Sequence, residues 1–155
     1  MNTMAPIRLT VRQRARRIPL TAGPAAPAEA RCQVEAAIRA WDAPVDVSTA
    51  VLLTSELVTN AVKHTAGETV VLAITCACGQ FHVDVHDTSS CLPAIVDGPA
   101  DAEAGRGLIL VASLSTSWGY YPTAAGKAVY FTLAFQAPPD KDDDRRPRRD
   151  RGWVR

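Results

Sequence analysis

No run of apolar residues in this chain is long enough to cross a bilayer, although hydrophobic residues make up 47% of its 155 positions. The basic opening stretch MNTMAPIRLTVRQRARR leads into no apolar signal-peptide core, so a cytoplasmic protein without membrane contact is expected. No C-x-x-C pair occurs among Cys32, Cys76, Cys78 and Cys91. That absence removes the usual zinc and thioredoxin-like spacings and leaves the cysteines as small packing residues. Charge of one sign is not in excess either. The net charge of +1 argues against a chain-wide nucleic-acid footprint, and no direct nucleic-acid partner is expected. Internal repeats are absent, and the length suits one domain with a substantial core.

What charge there is gathers at the ends. The tail PPDKDDDRRPRRDRGWVR sets an acidic cluster before a basic one, with prolines and almost no apolar residues, too little to bury for it to order itself. The expected organisation is a flexible N-terminal segment over 1–15, a folded domain over 16–137 and a disordered charged tail over 138–155.

Within the domain, RRIPL reads as a short strand and TAGPAAP as a turn. A helix from about Ala28 to Trp41 follows, with Val34, Ile38 and Trp41 as its apolar stripe. Asp46 or Ser48 caps a second helix running to about His64. ETVVLAITC, residues 68–76, is rich in β-branched side chains and reads as a strand, with a turn at Cys78 to Gln80. In FHVDVHD, the residues Phe81, Val83, Val85 and Asp87 share one face by the period of two, while His82, Asp84 and His86 share the other. The long stretch TSSCLPAIVDGPADAEA has no consistent period and reads as a lid or a disordered loop. It ends at Gly105-Arg106-Gly107, taken to precede a helix in LILVASLS. STSWGYY and AGKAVYFTLAF form a closing strand pair. The order predicts an α+β two-layer sandwich, a mixed and mostly antiparallel sheet with helices on one face.

Three features of this pattern point to a site. Glu56 and Asn60 lie at i and i+4 on the second helix, so a carboxylate and a carboxamide project side by side. Asp87 turns a carboxylate to the apolar side at a strand end, which is costly without a partner, and a ligand is one candidate partner. Glycines at a helix start let a backbone approach an anion. The trio His82, Asp84 and His86 is read as a solvated sheet face, and no metal ligand is assigned there.

These residues resemble the motifs of the GHKL superfamily of ATP-binding domains, known by its Bergerat-type sandwich in gyrases, chaperone ATPases and histidine kinases. The small bacterial anti-sigma-factor serine/threonine kinases are the most similar group. The likeness runs from about Arg16 to Phe135. Glu56 and Asn60 in SELVTNAVKHT match the family's helix motif, and Gly105 and Gly107 in GRGL match its second glycine motif. Asp87 matches the aspartate of the first glycine motif, although Ser89 and Cys91 stand where that motif has glycines. Gly126-Lys127-Ala128 lacks the threonine of the late Gly-Lys-Thr.

The resemblance implies ATP and Mg2+ as cofactors. Asp87 would accept the exocyclic amino group of adenine, an acceptor role suited to a carboxylate. Asn60 would supply one oxygen to magnesium, which otherwise keeps waters and phosphate oxygens. Glu56 would act as the catalytic base on a hydroxyl. Gly105 and Gly107 would cradle the phosphates, while Lys63, His64 and Arg106 read equally as groups that reach the phosphates and as solvated or packing residues. The implied function is phosphorylation of a small antagonist protein and sequestration of a sigma factor, with dimerisation expected. No histidine-bearing helix pair or transducer domain accompanies these residues, which sets histidine-kinase and gyrase activity aside. The alternative is a nucleotide-gated protein-binding module without kinase activity, a reading to which the departures at Ser89, Cys91 and Ala128 give weight.

Overall fold

The computed structural model describes residues 12–65, 67–89 and 102–136, with side chains described from Arg106 onward in the last stretch. The expected lid, apart from its ends, and the expected tail lie outside the described residues, as does most of the N-terminal segment.

Strand β1 (Arg14–Thr21) opens two residues before the expected boundary. Helix α1 (Ala26–Trp41) follows, entered through Pro27, whose missing N–H costs nothing in a first turn. It ends at Asp42, which adopts the left-handed conformation at φ 51 and closes the helix through its own N–H. The second helix, α2 (Val47–His64), is capped by Asp46, whose carboxylate accepts from the Thr49 amide at 2.9 Å.

Strands β2 (Thr69–Ala77) and β3 (Gln80–Asp87) form a hairpin. Its two-residue turn has Cys78 at φ 52 and Gly79 at φ 73, the double positive φ of a type I′ turn whose twist matches the strands. Helix α3 (Ala102–Leu114) and strands β4 (Ser117–Pro122) and β5 (Lys127–Ala134) complete the chain. The sheet order is β1-β2-β3-β5-β4, and every pairing is antiparallel. The architecture is therefore the α+β sandwich expected.

The core fills the space between helices and sheet. Val34, Ala37 and Ile38 of α1 and Leu53, Leu57 and Val58 of α2 meet Leu72, Ile74, Phe81, Val83, Val85 and Phe131 of the sheet, all buried. Leu108 and Val111 bring α3 into the same cluster. Thr54, fully buried on α2, returns its hydroxyl to the Ala50 carbonyl at 2.7 Å. Among the described residues no helix is long and apolar enough to cross a membrane.

His82, Asp84 and His86 face away from the helices, as the alternation predicts, yet they are half-buried rather than fully solvated. His82 bonds Thr132 Oγ1 through Nδ1 at 2.8 Å and Asp84 Oδ1 through Nε2 at 3.0 Å, and it stacks on Tyr130 with centroids 5.0 Å apart. Tyr130 reaches over Gly119, where an added Cβ would lie 2.7 Å from the phenol oxygen. Burial, with Arg17 nearby, holds the His86 imidazole below its ordinary range against the pull of Asp84 and Asp87.

Candidate functional site

The end of β3 is the polar point of an otherwise apolar face. Asp87 is buried there, in line with Phe81, Val83 and Val85. Its partner is Lys127, which stands directly opposite it in the register of β3 and β5. Lys127 Nζ lies 3.2 Å from Oδ1 and 3.1 Å from Oδ2, and the two side chains are only 5% and 2% exposed. The Ser89 amide donates to Oδ1 at 2.8 Å. The sequence left the partner of Asp87 open, with a ligand as one candidate; the protein supplies a cation of its own. Two desolvated charges persist because they pair with each other and with that amide.

Backbone fit keeps this point closed. A Cβ on Gly126 would strike the Asp87 carbonyl oxygen and lie 2.7 Å from the Thr88 backbone, so only glycine lets β5 begin so close to β3. Thr88 in turn is tied to the end of α2, its hydroxyl 2.9 Å from that of Thr65 and accepting from the Gly67 amide at 3.0 Å. That link brings the last turn of α2, with exposed Lys63 and His64, next to the residue that follows Asp87.

Glu56 and Asn60 lie along α2, each half-buried, on the side that α3 approaches. Here the sequence reading needs correction. Helix α3 starts at Ala102, so Gly105, Arg106 and Gly107 lie within its first two turns instead of ahead of it. Only the first four amides of a helix lack internal acceptors. They are those of the cap and the first three helical residues, so neither Gly105, the fourth residue of α3, nor Gly107 carries one. Gly107 has another physical reason to be glycine: an added Cβ would lie 2.5 Å from Glu56 Oε2. The carboxylate of Glu56 therefore rests in the space that Gly107 leaves on α3. Arg106, beside it, is exposed.

Two motif departures take on different weight. Ala128 pairs with His86 on the face away from the helices, so the absent threonine does not border Asp87, while position 127 does. Ser89 is buried and its amide serves Asp87 directly. Lys127 is the partner of Asp87 that the sequence reading passed over. The period of two in KAVYFTLA, placing Lys127 with Val129, Phe131 and Leu133, was the signal for it.

The model of the histidine kinase-like ATPase domain matches residues 20–133, a span that includes Glu56, Asn60, Asp87, Gly107 and Lys127. The chain belongs to that family. Among solved structures, this histidine kinase-like ATPase domain is similar to the RsbU and RsbW domains of Rv1364c from Mycobacterium tuberculosis. The TM-score is 0.60 at 22% identity, over 81% of this chain and 33% of that one. The likeness is one of fold, and the chain spans a third of that longer protein. No curated protein matches the sequence.

The donor set suits a nucleotide with magnesium. Asp87 Oδ2 takes only the lysine among the described residues, so a lone pair stays available to an amino group. Asn60 offers one neutral oxygen, the sparse protein contribution that magnesium accepts when phosphates supply the rest.

Proposed function

We propose that this histidine kinase-like ATPase domain binds ATP with Mg2+ and transfers the terminal phosphoryl group to a hydroxyl of a small partner protein, acting as an anti-sigma-factor serine/threonine kinase. Asp87 accepts from the exocyclic amine of the base, Asn60 gives its oxygen to the metal, and Gly105 at the start of α3 borders the phosphates. Lys63, His64 and Arg106, all exposed, would turn toward those phosphates. Bound Mg2+ would offset the charge of the transferring group. Glu56 takes the proton of the attacking hydroxyl. In the partner's unphosphorylated state the domain would hold a sigma factor.

The observation that carries this reading is the seat of Glu56 against Gly107, one helical turn from Asn60. A base must be held in place to contribute, and a carboxylate lodged between two helices is held. A nucleotide-gated binding module remains the second reading, favoured by buried Ser89 at a position where the family's motif has glycine.

The two side chains of α2 test the proposal. Asn60→Ala should weaken magnesium-dependent ATP binding itself. Glu56→Ala should leave binding largely intact and slow phosphoryl transfer by ~100-fold or more, the usual contribution of a positioned base. Equal transfer by wild type and Glu56→Ala would remove Glu56 as the base. No transfer by wild type to antagonist proteins would leave the binding module.

A further inference from the structure

We propose that Lys127 is a second base-reading group, so that the site accepts a 6-oxopurine nucleotide as well as a 6-aminopurine one. The inference rests on the nucleotide site proposed above and concerns which bases it admits.

Asp87 Oδ1 is engaged twice, by the Ser89 amide at 2.8 Å and by Lys127 Nζ at 3.2 Å. Among the described residues, Oδ2 is engaged by Lys127 alone, at 3.1 Å. A carboxylate oxygen accepts along two directions and an ammonium donates along three. Among the described residues this count leaves one acceptor direction on Oδ2 and one donor direction on Nζ, two atoms 3.1 Å apart. Strand register sets the pair opposite each other, and Gly126 packed on the Asp87–Thr88 backbone fixes where Lys127 enters.

A lone carboxylate can accept the N6–H of adenine or the N1–H of hypoxanthine, but it offers no donor to adenine N1 and turns its lone pairs against the O6 of hypoxanthine. An acceptor beside a donor behaves differently. The edge of adenine presents N6–H next to N1, a donor beside an acceptor. The edge of hypoxanthine presents N1–H next to O6, the same two senses exchanged. Asp87 and Lys127 meet either edge, with the carboxylate taking the N–H and the ammonium giving a proton to the ring nitrogen or to O6. The lysine's flexible stem and three rotatable donors suit it to both positions.

The test compares ATP with inosine triphosphate, which differs from it only along this edge. With magnesium present, wild-type protein should bind the two within about tenfold of each other by calorimetry. Lys127→Met should lose inosine triphosphate by about 10- to 100-fold more than it loses ATP, the worth of one hydrogen bond to a charged group. Lys127→Thr keeps a hydroxyl for Asp87 but no donor for the base, and it should show the same selective loss if the methionine variant does not fold. Wild type that binds ATP and excludes inosine triphosphate at concentrations saturating for ATP overturns the inference. So does an equal loss of both ligands in a folded variant, which marks Lys127 as structural only. Binding of neither ligand by wild type overturns the nucleotide site itself, and the inference with it.

Discussion

Replacing Lys127 by methionine is the perturbation with the largest structural consequence. It keeps most of the side-chain volume and removes the ammonium that lies 3.1 Å from Asp87 Oδ2. Asp87 stays 2% exposed with the Ser89 amide as its remaining donor. Breaking a buried pair by removing one partner costs about 3–5 kcal/mol, because the other charge is left uncompensated. For a domain of this size that corresponds to a fall in Tm of roughly 10–20 °C. Asp87→Leu combined with Lys127→Met removes both charges, and apolar replacement of a whole pair is neutral or stabilising by about 1–4 kcal/mol. The double variant should therefore recover most of what the single one loses. Urea denaturation followed by circular dichroism, without nucleotide, reads all of these. A single variant within about 1 kcal/mol of wild type, or no recovery in the double variant, would refute the reasoning that the pair is buried and mutually dependent.

Gly107→Ala should act on chemistry more than on stability: the new methyl displaces Glu56 Oε2 from 2.5 Å toward ordinary contact, a shift of roughly 1 Å that can cost on the order of 100-fold in transfer rate. Alanine's better helix propensity, about 1 kcal/mol, offsets the strain of moving a flexible side chain, so urea midpoints should stay close to wild type. The Asp46 cap should titrate. Hydrogen bonds from the Thr49 hydroxyl and amide hold its carboxyl below its ordinary value of 3.8, so its stabilisation is complete above that value and is lost as pH falls through the lower folded one. The Tm difference between wild type and Asp46→Ala should thus be present at neutral pH and close under strong acid.

Local pattern carried much of the architecture. Val34 and Ile38, three to four residues from their neighbours on the stripe, are buried, and the alternation of FHVDVHD by itself puts Asp87 on the buried face. The cap at Asp46 and the hairpin turn near Cys78 and Gly79 are chemistry of adjacent residues, which is why both were legible. The partner of Asp87 is not adjacent. Lys127 lies 40 residues away, and only the pairing of β3 with β5 brings it opposite. The sequence puts the start of α3 too late because glycine ordinarily weakens a helix by about 1 kcal/mol, so Gly105 and Gly107 read as a boundary. Tertiary packing overrides that preference at Gly107, where Glu56 needs the room.

In the proposed site Asp87 is the residue that receives the base. Magnesium-ATP titrated by calorimetry into wild type and Asp87→Asn measures this, because the substitution keeps the side chain's shape and turns one acceptor into a donor facing the adenine amine. The prediction is saturable binding by wild type and an affinity lower by about 10- to 100-fold in the variant, the cost of losing a charged hydrogen bond. Equal affinity in the two proteins, or no binding by wild type, would contradict it.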